Sequence, residues 1–407
     1  MARSCTFRPF RVACVRQVAA SRTPAHAGTS SPHQPSSQAA ARRMGREMHI
    51  PENYLSPSTC GVMGAVMVPV WLHAARRVRQ TVPREKMPLL GVAAAFSFLA
   101  MMFNVPIPGG TTGHAVCGTL VAILFGPWAA VLSISIALVI QAVLFGDGGI
   151  LALGANCFNM AFVLPMVGYG IYALVMHAFA SRSSAEKPQA RQGQAQPPAL
   201  ELVAAGVGSY VGINAAALCA AIEFGIQPLL FSNAAGQALY CPYPLWVSVP
   251  AMLAGHLTVA GAAEVIFTVG ILAYVRKAAP SFGVEGALAP AGTASKAAPT
   301  ASQAHAAHAS LAALLVALVV LAPLGLLATG DAWGEWATED VAESVGYTPA
   351  GMASGWEWQS LLPDYSFDGL PDWVGYVLSA VIGVALLVIA FRAIAAGMKS
   401  KVDFGTR

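Results

Sequence analysis

A methionine followed at once by a histidine, Met48-His49, opens the run MHIPENYLSP just ahead of the first long apolar segment. Were Met48 the first residue of the mature chain, its free amine, the His49 amide nitrogen and the His49 imidazole would form a three-nitrogen chelate. A second histidine would complete a square of nitrogens, the arrangement that selects Ni(II) or Cu(II), and Co(II) with them, over Zn(II). His114, in TTGHAVCGTL, is the candidate for that nitrogen. Asp147, Asn156 and Asn159, in the run GDGGILALGANCFNM, are candidates to hydrogen-bond such ligands from behind. Each also has a plain reading: an ordinary methionine, a histidine that caps a helix start, and a glycine turn at 148–149 that needs no metal.

The elements that must position these residues are membrane helices. The chain is 56% hydrophobic and only 10% charged, against roughly 25% charged for a typical soluble domain. A spanning helix needs about 20 mostly apolar residues. Nine segments qualify, near 59–75, 87–103, 111–126, 128–146, 150–179, 199–225, 246–275, 311–329 and 373–395. Those at 111–126 and 128–146 meet at Gly126-Pro127, where their division is least secure. Backbone polar groups in lipid must be paired internally, and these runs are too long and continuous for barrel strands, so an all-α polytopic membrane protein is expected.

Lysine and arginine mark the cytoplasmic loops. Arg76, Arg77, Arg79, Arg84 and Lys86 put the first loop inside. Alternation through nine spans then puts 180–198, the loop opening at Arg276-Lys277, and the tail with Arg392, Lys399 and Lys401 on that same side. The segment 330–372 falls outside; it holds nine of the nineteen acidic residues and no Lys or Arg. Met48 also falls outside. Residues 1–47, with eight arginines and one acid, violate the rule if translocated and carry no apolar core for a secretory signal. They read as an extension absent from the mature protein, or else as a basic arm.

Residues 48–277 thus form a seven-helix membrane domain, 278–310 a linker rich in Ala, Gly, Pro and Ser, and 311–407 a two-span unit. His305 and His308 sit in that linker and read as solvated. Glu223 and His177 fall near helix ends, within reach of the interface, and His256 lies deeper. The small residues of LLGVAAAFSFLA suit close helix packing against a neighbour or a partner subunit. The seven cysteines show no CxxC spacing, and no GxxxxGK[ST] phosphate loop occurs, so ATP-driven work would need a separate ATPase.

The Met-His-Ile-Pro opening, GTTGHAVCGTLVAILFGPWAAVL and GDGGILALGANCFNM together resemble the CbiM/NikM family, the substrate-capturing membrane components of cobalt and nickel energy-coupling-factor transporters. The likeness covers 48 to about 277. It implies seven helices and a metal held by Met48, His49 and His114. The 47-residue extension departs from the family pattern and, if retained, removes the amine. Through GYTPAGM and LLPDYSFDGL the C-terminal pair resembles, more weakly, the PDGLE-type accessory component of those transporters.

The resemblance implies capture of Ni(II) or Co(II) as transported substrate at the external face of the bacterial inner membrane. It implies no permanently bound cofactor and no enzymatic activity of the chain's own. The implied partners are a transmembrane coupling subunit and cytoplasmic ATPases, with the lipid bilayer around them and no nucleic acid. A gradient-driven permease and a structural membrane subunit are the alternatives; a membrane metalloenzyme lacks its expected HExxH or Glu-x-x-His clusters. Nickel and cobalt are not distinguished by the ligands. The charge pattern makes one direct prediction: in a background freed of native cysteines, a reagent applied to intact cells should label a cysteine placed at 350 and spare one at 290. The reverse would overturn the nine-span orientation.

Overall fold

Prolines and glycines set the helix boundaries. Ser56 caps α1 (Pro57–Thr81), its Oγ accepting the Thr59 N–H at 3.1 Å, and Pro57 occupies the first position, where a missing N–H costs nothing. Pro83 separates α1 from α2 (Met87–Met101). Gly126, at φ +90°, and Pro127 end α3 (Gly118–Phe125) and begin α4 (Pro127–Phe145). There follow α5 (Leu153–Phe179), α6 (Ala199–Leu230), α7 (Leu245–Ala278), α8 (Ala301–Leu327), the short α9 (Thr338–Val345) and α10 (Asp372–Gly397). The computed structural model describes residues 49–107, 111–186, 198–279, 282, 301–328 and 330–398.

The protein is an all-helical, multi-pass membrane protein, with two three-residue strands paired antiparallel, β1 (Val105–Ile107) and β2 (Thr111–Gly113), among the described residues. Among the described residues seven helices are long and apolar enough to cross a membrane: α1, α4, α5, α6, α7, α8 and α10. The other two of the nine apolar segments form shorter helices. With 15 residues, α2 reaches about 22 Å, and α3, with 8, about 12 Å, against a hydrocarbon core of about 30 Å. The expectation of a third helix from residue 111 is therefore corrected. From 111 to 117 the chain is extended and buried, and Cys117 lies at φ +59°. Irregular backbone of this kind is tolerated at depth where protein rather than lipid surrounds it.

The small-residue face of α2 is covered by α10 of the C-terminal pair. Phe98 lies over Gly383, Leu387 and Phe391 join the same buried cluster, and the Tyr376 hydroxyl donates to the Met102 carbonyl at 2.8 Å. Helix α8 begins at Ala301, inside the stretch read as linker, so His305 and His308 stand exposed on its first turns. Residues 1–48, 187–197 and 283–300 lie outside the described residues, and with them Met48, the extension and most of both low-complexity stretches.

Helices α5 and α6 touch backbone to backbone. A Cβ on Gly208 would stand 2.5 Å from the Gly168 carbonyl oxygen, closer than any real contact. Lipid gives no hydrophobic push between helices, so such close approach is a main source of packing energy. Gly208→Leu should therefore separate the pair and lower the thermal unfolding midpoint in detergent, with a loss of at least ~1–3 kcal/mol; an unchanged midpoint would show that the contact is not needed.

Candidate metal site

Residues 49–56 enter the helical shell as a buried strap. The Ile50 N–H donates to Asn156 Oδ1 at 3.0 Å, and the Asn156 amide donates back to the Ile50 carbonyl at 3.1 Å, which also accepts from Gly149 N–H at 2.9 Å. Glu52 accepts the Ile150 and Leu151 N–H groups at 2.6 and 3.3 Å. Burial pushes the Glu52 carboxyl above its ordinary range, and those two backbone donors partly offset the rise. Asn53 turns the chain at φ +61°, a conformation asparagine adopts more readily than most residues, and its amide donates to the Trp356 carbonyl at 3.0 Å. The Ser56 N–H closes the strap on Gln227 Oε1 at 3.0 Å.

This strap puts His49 against His114. Their ring centroids are 5.2 Å apart with planes at 84°, and both side chains are buried. His114 rides on the extended stretch 111–117, whose backbone is held at three points. Ser97 Oγ donates to the Val116 carbonyl at 2.5 Å, and the Val116 and Cys117 N–H groups both donate to Glu264 Oε2, at 2.7 and 2.9 Å. Glu264 is fully buried on α7. It escaped the sequence reading although a solitary acid inside an apolar span is by default a suspect.

His49 Nδ1 meets Asp147 Oδ1 at 3.0 Å and the Asp147 carbonyl at 3.3 Å, while the buried His49 Nε2 has no hydrogen-bond partner among the described residues. Gly148, at φ +87°, lets the 147–149 loop lie this close, since a Cβ there would stand 2.8 Å from the His49 Cβ. The three candidate supports thus divide. Asp147 contacts His49 directly, Asn156 fixes the neighbouring Ile50, and Asn159 donates to Glu223 Oε2 at 2.9 Å. Glu223 is accordingly buried in this pair rather than reaching the interface; His177 is exposed.

A cavity of about 90 Å³ opens beside the two imidazoles and is also lined by Asn159, Met160, Met252, His256, Trp333 and Glu335. His256 lies on the π-helical turn His256–Ala260 with its Nδ1 2.8 Å from the Met252 carbonyl. The segment after α8 covers this region. The Asp331 carbonyl accepts Thr111 Oγ1 at 2.9 Å and Thr112 N–H at 3.3 Å, and Leu362 N–H donates to the Leu144 carbonyl at 2.8 Å. Among the described residues no group of three or more His, Cys, Asp and Glu side chains converges as a metal cluster. The arrangement offers two imidazoles, backbone nitrogens and a cavity.

Residues 49–282 match the family model of the cobalt uptake substrate-specific transmembrane region CbiM, and residues 307–400 match that of the PDGLE domain. The fused nickel transport protein NikMN of Rhodobacter capsulatus is 46% identical over 374 residues, 87% of this chain and 98% of that protein. The probable fused nickel transport protein LarMN of Lactiplantibacillus plantarum is 44% identical over 353 residues, 85% and 97% respectively. A crystal structure of a truncated transition metal transporter aligns with a TM-score of 0.50 at 52% identity, covering 56% of this chain and 99% of that one.

The double hydrogen bond between Asn156 and Ile50 ties α5 to the residue next to His49. Asn156→Ala leaves the buried Ile50 N–H short of a partner while the carbonyl keeps the Gly149 N–H, a loss of about 1–3 kcal/mol. Hydrogen exchange should quicken at Ile50 while Ile150, held separately by Glu52, keeps its protection. Equal quickening at both would show a general loosening instead.

Proposed function

The chain belongs to the CbiM family of cobalt uptake transmembrane regions, and we propose that it captures Ni(II) or Co(II) from the external side as the substrate-binding component of an ATP-driven, energy-coupling-factor-type transporter. The observation that carries the reading is the buried pair His49 and His114, 5.2 Å apart beside a cavity. The relatives named as nickel transport proteins, similar over nearly their whole length, support the same metals.

The proposed ligands are the Met48 amine, the His49 amide and imidazole, and the His114 imidazole. Only Nδ1 can close a ring with the residue's own amide nitrogen, so capture exchanges the Asp147 carboxylate for the metal at that atom. Four nitrogens suit nickel and cobalt better than zinc. The amide must lose its proton, and the amine, with a reference pKa of about 7.7–8.0, must be neutral. Binding therefore releases protons and weakens in acid. The chain spans the membrane but has no phosphate-binding loop of the GxxxxGK[ST] type, so a coupling subunit and ATPases encoded elsewhere turn capture into uptake.

His49→Ala and His114→Ala should each abolish tight nickel or cobalt binding by the purified protein while membrane insertion persists, and His305→Ala and His308→Ala should bind as the unaltered chain does. Metal content after purification decides it: equal loss in all four would mislocate the site. Full-rate metal accumulation by cells lacking the ATPase partner would instead favour the gradient-driven permease.

A further inference from the structure

We propose that Tyr365, in the C-terminal PDGLE region, is a positioning residue for His49, acting through Asp147; the inference rests on His49 being a metal ligand. The Tyr365 hydroxyl donates to Asp147 Oδ2 at 2.5 Å, and the Gln141 amide donates to the Tyr365 oxygen at 2.9 Å and to the same carboxylate oxygen at 3.3 Å. The other oxygen, Oδ1, faces His49 Nδ1 at 3.0 Å. A continuous polar chain thus runs from the second family region to the first histidine of the proposed site, and every residue in it is buried.

The backbone at this point is unusual. Tyr365 sits at φ +58° and Asp364 at φ +55°, a conformation in which a bulky side chain is an outlier and which persists only where the surroundings over-determine it. Here they do: the ring stacks on Phe145 with centroids 4.6 Å apart, and Ser379 Oγ donates to the Tyr365 carbonyl at 3.0 Å. A phenylalanine would fill the same space. What the hydroxyl adds is a donor aimed at a buried carboxylate.

That donor matters most once metal has been captured. When His49 Nδ1 turns from Asp147 to the metal, the carboxylate gives up the imidazole N–H, and a buried charge left short of donors is costly. Tyr365 and Gln141 keep the carboxylate in place and solvated by protein, so the exchange proceeds from a prearranged site. Removing the hydroxyl takes away the shorter of these two donors.

The test is equilibrium dialysis of the protein as purified from membranes against NiCl2. Tyr365→Phe should weaken nickel binding by about 10-fold or more, because the buried carboxylate that has given up the imidazole N–H then also lacks the tyrosine donor. Tyr376→Phe, which removes another buried hydroxyl of the same C-terminal pair, should leave affinity unchanged. In an Asp147→Asn background, Tyr365→Phe should add no further loss. Unaltered affinity in Tyr365→Phe, equal losses in the two tyrosine variants, or fully additive losses with Asp147→Asn would each overturn the proposal. If Tyr365→Phe does not fold, Gln141→Met removes the Gln141 amide donor from the same carboxylate, and unchanged affinity there would overturn it too. His114→Ala keeps the two readings apart. No nickel binding by the unaltered chain, or full binding by His114→Ala, sinks the metal site and this inference together. Loss in His114→Ala with none in Tyr365→Phe sinks the inference alone.

Discussion

A buried peptide group without a hydrogen-bond partner costs about 1–3 kcal/mol, and this protein carries two non-helical stretches, 49–56 and 111–117, through an apolar shell. Helices satisfy their own backbone; these stretches cannot. Polar side chains of the surrounding helices supply the missing partners: Asn156 to Ile50, Gln227 to Ser56, Glu264 to Val116 and Cys117, Ser97 to Val116. The histidines stand where they do because the backbones that bear them are tied at these points.

The same constraint explains why so few polar residues in the spans look like ligands. Glu264 and Asn156 spend their hydrogen-bonding capacity on main chain, and Asn159 and Glu223 largely on each other. An intramembrane carboxylate is a functional suspect on energetic grounds, yet Glu264 acts at one remove, by fixing a loop. The π-helical turns Gln141–Phe145, Cys157–Val163 and His256–Ala260 fall on three helices that line or adjoin the cavity. Each inserts a residue into the helical ladder and so turns the next side chains relative to those before, an adjustment often found near functional sites.

Hydropathy made the membrane class, the segment positions and the C-terminal pair readable from residue order alone, because lipid demands length and apolarity of any helix that crosses it. It overstated residues 111–117, where Thr-Thr-Gly-His is apolar enough in its surroundings yet follows extended backbone. No hydropathy window registers a left-handed Cys117 or a carboxylate 147 positions away that holds its N–H. Asp147 was visible because two glycines beside it announced a tight loop near the candidate histidine. Tyr365 was not, since its meaning comes only from the fold that brings residue 365 within 2.5 Å of residue 147.

The PDGLE region and the CbiM region share one chain here, and the contacts between them run from the buried packing of α10 on α2 to single hydrogen bonds at the Asp331 carbonyl, the Leu362 N–H and the Trp358 indole, which donates to the Val143 carbonyl at 2.9 Å. Between two free proteins such contacts would have to repay the lost freedom of association before any binding appeared. Joined in one polypeptide, they compete only against an intramolecular opening, at an effective concentration that for short flexible tethers is of order millimolar. The fusion also fixes the two regions at one to one. A substitution at either surface is then tolerated more readily than in a two-chain assembly, because the tether keeps the two regions together when one contact is lost.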